Sequence, residues 1–251
     1  MVSRDALKAQ HVRRILFRGG PGVGKTYSCI KELHGYAKKG RKVLYLDLVE
    51  NTATEDLLKL KDSILEHVTY KDTASIVAAT KAVEKHKQLV QNENGSMPLA
   101  TRIKKGMGVK RGLIIVDPAH YLTRMCRTYA RDKFNQAGKY KVGGKTINID
   151  DPEMFELEGF LFGKANSTLD RFTEALLQSG CDIICTQDPE HKPLTKIDGI
   201  FDVILELRFA NEEDVGRVWH AMPTKVRGGN PKDFFEMKVP RKKSPMIVLE
   251  D

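Results

Sequence analysis

The sequence predicts an α/β fold, a mostly parallel central sheet covered by helices, with a β-rich C-terminal extension. Apolar runs at Arg14–Phe17, Lys42–Asp47, Gly112–Asp117 and Asp182–Thr186 are short enough for strands, and three of them close on polar residues. Helical spacing of apolar residues fills several intervals between them. From Phe201 onward, strand-like segments follow one another instead.

In chain order, Arg14-Ile15-Leu16-Phe17 is a buried strand that runs into a glycine loop. A helix follows from Lys25 to Lys38, with Ile30, Leu33 and Tyr36-Ala37 on one face and Gly40 as its stop. Lys42–Asp47 is the second strand and Ile64–Tyr70 a third, weaker one. Asp72 is placed as the cap of a helix through Ala79 and Val83 to Val90, and Asn92–Arg111 reads as a polar, basic loop. Gly112–Asp117 is apolar on both faces, as a central parallel strand requires. Tyr121–Phe134 reads as a helix. Lys139–Ile149 reads as a β-hairpin turning on Gly143-Gly144. An amphipathic helix over Ser167–Ser179 leads back to the sheet at Asp182–Thr186. Strands are then expected at Asp202–Leu207, Arg217–Met222, Phe234–Val239 and Met246–Leu249. With no linker or repeat, residues 1–251 are expected to form one domain. It carries the basic loop 92–111 and a helix and hairpin excursion over 121–165.

Lys and Arg outnumber Asp and Glu 42 to 33, giving a formal charge of +9 that favours polyanionic partners. The plainer alternative is a basic soluble surface. Cys29, Cys126, Cys181 and Cys185 lack metal-ligand spacing and fit as small core residues in a reducing, intracellular setting. No run is long and apolar enough to span a membrane, and Met1–Gln10 lacks a secretory apolar core. A soluble, cytoplasmic protein is expected.

The chemistry concentrates at Gly19-Gly20-Pro21-Gly22-Val23-Gly24-Lys25-Thr26, followed by Tyr27. The pattern Gly-x-x-x-x-Gly-Lys-Thr between a strand and a helix makes a phosphate cradle, with backbone N–H groups and the helix N-terminus turned to the anion. Lys25 is expected on the β- and γ-phosphates and Thr26 on Mg²⁺. Asp117 ends the most apolar strand, where a Mg²⁺-side carboxylate belongs; its alternative role is to cap the next segment. Pro118 follows it, so the residue that activates water must come from elsewhere. Glu50 is the first choice and Asp47 the second, since both close the second strand beside the same crevice; turn capping is the alternative for each. Thr186-Gln187 closes another strand, and Gln187 is a candidate γ-phosphate sensor or ordinary strand-end polarity. His120 and His191 lack metal-ligand company and are assigned solvent or hydrogen-bonding roles.

Taken together, Gly19–Thr26, Tyr45-Leu46-Asp47, Asp117-Pro118, Cys185-Thr186-Gln187 and Phe201-Asp202 resemble the RecA-like P-loop ATPases. Within that class they resemble the compact phage and archaeal-virus ATPases of the Sak recombinase type. Thr224-Lys225-Val226-Arg227 looks like the Lys-x-Arg element of DnaB- and KaiC-type folds. In those folds the two cations reach the γ-phosphate of a neighbouring subunit, and a basic surface turn is the alternative here. The family's acid beyond the second strand falls where this chain has Val49, one position before Glu50. The resemblance implies an ATP- and Mg²⁺-dependent ATPase acting on DNA in recombination, annealing or replication. It also implies a homo-oligomeric ring or filament, in the host cytoplasm if viral.

Single-stranded DNA is the expected partner. Arg102, Lys104, Lys105, Lys110 and Arg111 precede the Asp117 strand. Arg124, Arg127, Arg131, Lys133, Lys139, Lys141 and Lys145 follow it, interleaved with Tyr121, Tyr129 and Tyr140. Cations with stacking aromatics are what single strands require; a solvated basic face is the alternative. Two other functions compete. A virion-assembly or DNA-packaging ATPase ordinarily shows Asp-Glu where this chain has Asp117-Pro118. A small-molecule phosphotransferase calls for an arginine-rich lid.

Overall fold

A computed structural model describes residues 12–49, 57, 60–61, 63–69, 76–95, 109–137, 139–142, 145–148, 154–189, 199–209, 218–226 and 246–249. Its elements are β1 (Arg14–Arg18), α1 (Lys25–Lys38), β2 (Val43–Asp47), β3 (Leu65–Thr69), α2 (Ile76–Asn94), β4 (Leu113–Asp117) and α3 (Tyr121–Ala137). They continue with β5 (Lys139–Val142), β6 (Lys145–Asn148), α4 (Met154–Gln178), β7 (Asp182–Gln187), β8 (Val203–Phe209), β9 (Val218–Val226) and β10 (Met246–Leu249).

An eight-stranded sheet has the order β10-β9-β8-β1-β7-β4-β2-β3. From β3 to β8 every pairing is parallel. Strand β9 runs antiparallel to β8, and β10 lies parallel to β9. The expected parallel sheet with an antiparallel extension is therefore present, and β5 and β6 form the expected hairpin.

Period-2 alternation along the strands divides the core into two layers. Leu16, Leu46, Ile114, Val116, Ile183 and Cys185 face α2, α3 and α4, against Val83, Leu122, Cys126 and Phe172. Ile15, Phe17, Tyr45, Ile115 and Ile184 face α1, against Cys29, Leu33 and Tyr36. Helices thus cover both faces, as a parallel sheet requires. All four cysteines are buried free thiols. Burial pushes the Cys126 thiol up to about 12 and Cys181 up to about 11, so both pack as small apolar groups. At the amino ends of the strands, Asp182 accepts from the Tyr36 hydroxyl and, at 2.7 Å, from the Arg13 N–H. This ties the far end of α1 to the sheet.

Several boundaries differ from the sequence reading. Helix α2 continues to Asn94, into the predicted loop. There the Asn94 amide donates to Lys110 C=O at 2.7 Å and accepts from Lys110 N–H at 3.0 Å. Helices α3 and α4 are also longer than predicted, α3 ending at Ala137 and α4 beginning at Met154. Strand β9 runs past Met222 through Thr224-Lys225-Val226, so Lys225 lies inside the strand, opposite Ile204. Pro223 stands at a register shift facing Leu205, an irregularity that accommodates its missing N–H. Asp72, the Gly143-Gly144 turn and residues 234–239 lie outside the described residues. Among the described residues no helix is long and apolar enough to cross a membrane.

Candidate functional site

Three strand ends meet beside the glycine loop. The Gly19 N–H donates to Gln187 C=O at 3.2 Å, and the Leu48 N–H donates to Asp117 C=O at 2.8 Å. The Ala119 N–H donates to Thr186 C=O at 2.8 Å, so the segments leaving β1, β2 and β4 are tied to their neighbours. The loop itself needs glycine. Gly22 and Gly24 have φ of 78° and 86°, the left-handed region that costs other residues. Gly19 is required for a different reason. A Cβ there would stand 2.6 Å from Leu207 O and 2.7 Å from Val23 Cγ2.

Helix α1 opens at Lys25, with Gly24 at its cap and no side-chain cap. The first N–H groups of a helix have no intrahelical acceptor, and here they border the loop. The Lys25 ammonium donates to Gly19 C=O and Gly20 C=O, each at 2.7 Å, and lies 2.6 Å from Asp188 Oδ1. Its three N–H donors therefore have three oxygen neighbours.

Beside this loop is a cavity of about 340 Å³. Lys25, Thr26, Asp47, Asp117, His120 and Asp188 are among its lining residues. Strand alternation explains how the acids arrive there. Asp47 and Asp117 stand two residues beyond Tyr45 and Ile115, on the α1 face, and pair with each other in the β2–β4 register. Asp117 accepts from the Tyr45 hydroxyl at 2.8 Å on Oδ2 and from the Thr186 hydroxyl on Oδ1. Asp47 accepts from the Val49 N–H at 3.3 Å, and its other oxygen lies 3.4 Å from His67 Nε2. Asp117 and Asp47 are buried, whereas the Asp188 side chain is 28% exposed.

The structure thus brings Lys25, Thr26 and Asp117 together. Gln187 is buried and turns to the other face of β7 from Thr186, accepting from Arg18 Nη2 at 3.2 Å. It does not line the cavity. Tyr27 is exposed at the start of α1. Lys225 lies in β9, whose chain direction carries Val226 to Val203, the first residue of β8. The strand therefore ends at the amino-terminal ends of the parallel strands, whereas this chain's own glycine loop lies at their carboxyl ends. Glu50, Arg227 and His191 lie outside the described residues. Sequence reasoning missed Asp188, Tyr45 and His67. For Asp188 the signal was its place immediately after the Thr186-Gln187 strand end. His120 proves to line the cavity, its Nε2 4.0 Å from Asp188 Oδ2.

Strand order, the Gly-x-x-x-x-Gly-Lys-Thr loop after β1 and the acidic end of β4 define an α/β core built on six parallel strands, with the glycine loop and the acid at the carboxyl ends of those strands. No family model matches the chain, and no curated protein is similar to it. Among solved structures, it is similar to an ATPase from the type III secretion system of pathogenic bacteria. That similarity has 17% identity and a TM-score of 0.43, and covers 83% of this chain and 56% of that one.

Proposed function

We propose that this protein binds and hydrolyses ATP with Mg²⁺ at the Gly19–Thr26 loop and uses the turnover to act on DNA. The observation that carries the first part is the cavity shared by Lys25, Thr26 and Asp117. An ammonium, a hydroxyl and a carboxylate meet there at the mouth of a glycine loop. The donor set suits a hard cation, since Mg²⁺ takes oxygen ligands. Thr26 and Asp117 would hold it, and bound Mg²⁺ neutralises charge on the phosphate oxygens. Tyr45 and Thr186 keep Asp117 in one orientation. Lys25 contributes a fixed positive charge that strengthens its hold as negative charge develops in the transition state. Tyr27, exposed just past the loop, would contact the nucleotide beyond its phosphates in this reading. Glu50 is proposed as a water-orienting carboxylate.

Catalysis is completed between subunits in this reading. Lys225 and Arg227 act on the γ-phosphate of a neighbouring chain in a homo-oligomer. The direction of β9, away from the chain's own glycine loop, favours action in trans over action in cis.

The DNA part rests on α3. Arg124, Arg127, Arg131 and Lys133 are exposed on it, with Arg124 5.9 Å from the Tyr121 ring centroid and Lys133 5.9 Å from that of Tyr129. Cations beside aromatic rings offer a single strand both backbone charge and stacking. Recombination, annealing and replication all supply such a strand. The test is ATP turnover measured alone, with single strands, with duplex and with small hydroxyl or nucleotide acceptors. Stimulation by single strands supports the proposal. Phosphate transfer to a small acceptor, with no response to DNA, overturns its DNA part.

A further inference from the structure

Of the carboxylates lining the cavity among the described residues, Asp188 differs from the others in its partners. Both oxygens of Asp117 accept hydroxyl hydrogen bonds. Asp47 is held between the Val49 N–H and His67. Both acids are buried parts of the strand ends. Asp188 lies one residue beyond the end of β7, is partly open to water, and has Oδ1 2.6 Å from the Lys25 ammonium. Its other oxygen faces His120 Nε2 at 4.0 Å.

The Lys25 contact is one that a bound nucleotide must change, because the β- and γ-phosphates require the same ammonium. Resting on the phosphate-site reading above, we propose that Asp188 is a catalytic carboxylate held in reserve by Lys25. When phosphate draws Lys25 away, Asp188 is released at the cavity wall, with His120 beside it as a positioning residue. There it accepts a proton from the attacking water. The water oxygen bonds to the γ-phosphorus, and the bond from that phosphorus to the β–γ bridging oxygen breaks. The bridging oxygen leaves on ADP with its electron pair, inorganic phosphate is formed, and the water's proton resides on Asp188. This supplies a base that the position after Asp117, occupied by Pro118, lacks.

The arrangement makes two effects of one substitution run in opposite directions. Asp188→Asn keeps the shape but removes both the competing charge on Lys25 and the proton acceptor. Affinity for a fluorescent ATP analogue with Mg²⁺ is expected to rise about threefold to tenfold. Single-turnover hydrolysis is expected to fall on the order of 10²-fold or more. Asp188→Glu should recover part of the rate, and hydrolysis abolished by Glu50→Gln but kept by Asp188→Asn would make Glu50 the proton acceptor and overturn the proposal. Asp188→Asn hydrolysing at the unmutated rate overturns the proposal, and so does loss of affinity in step with loss of rate. If the unmutated protein binds no nucleoside triphosphate, the phosphate-site reading falls and this role with it. If it binds and hydrolyses while Asp188→Asn does the same, only the role of Asp188 falls.

Discussion

The Tyr45 hydroxyl donates to the Asp117 carboxylate at 2.8 Å, across the parallel pairing of β2 and β4. Tyr45 is fully buried, so the bond is made without competition from water. A buried hydrogen bond to a charged acceptor contributes roughly 1.5–3 kcal/mol. Tyr45→Phe should therefore lower the melting temperature by about 3–12 °C, at roughly 2–4 °C per kcal/mol for a chain of this size. Because Asp117 loses one of the two groups that orient it, the Mg²⁺ concentration for half-maximal hydrolysis should rise. Thermal melts and a Mg²⁺ titration check both. An unchanged Mg²⁺ requirement would detach Asp117 from the metal.

Two adjacent glycines should respond differently to the same methyl group. At Gly19 an added Cβ meets backbone at 2.6 Å, while at Gly20 nothing lies within 4 Å. Gly19→Ala should cost about 1–3 kcal/mol in stability, as overpacking does. It should also weaken ATP binding tenfold or more, on the order of 1.4 kcal/mol. Gly20→Ala should leave stability nearly unchanged. Urea denaturation and nucleotide titration of the pair provide the comparison, and equal effects at both positions would contradict the geometry.

Stability at acid pH should report on His86. Burial is the largest cause of its pKa falling to about 4, with Glu66 opposing and Lys42 assisting. The neutral ring is favoured in the folded protein. Its contribution is therefore complete above the unfolded value near 6.5 and is lost as pH falls from there towards 4. The full loss is roughly 3 kcal/mol. Among the described residues His86 Nε2 is buried without a hydrogen-bond partner, so an apolar replacement breaks no bond at that atom. His86→Leu should shrink the stability difference between pH 7 and pH 4.5, measured by urea denaturation. An identical difference in the two proteins would exclude His86 as its source.

Action across a subunit interface makes a mixing prediction. Lys25→Ala and Arg227→Ala are each expected to be inactive. In a mixed oligomer, some interfaces join an intact glycine loop to an intact arginine. Phosphate release should partly return, since a cation supplied in trans contributes on the order of 10³-fold in rate. Mixed oligomers without activity would remove the trans-acting role, leaving Arg227 either as a cation acting in cis or as part of a basic turn.

Much of the core was legible because its signals are local. The glycine loop, the apolar strand before Asp117 and the Gly143-Gly144 hairpin signal each lie within a few consecutive residues. The long extent of α4 was hidden, as Gly159 and Gly163 weaken the helical signal ahead of Ser167. Pro223 concealed the second half of β9 in the same way. Thr186 and Gln187 looked like one polar pair, yet alternation sends their side chains to opposite faces. Asp188 could not be read locally. Its meeting with Lys25 depends on β1 and β7 lying side by side in the sheet.

The most direct test of the central claim is phosphate release from ATP by the unmutated protein and by Lys25→Ala, with Mg²⁺ and with chelator. Circular dichroism and melting curves would confirm that both proteins are folded. The unmutated protein should release phosphate only with Mg²⁺. Lys25→Ala should lose about 3 kcal/mol or more of transition-state stabilisation, a fall of at least roughly 100-fold. A folded Lys25→Ala protein that turns over ATP at the unmutated rate would contradict the assignment of this loop as the site of hydrolysis.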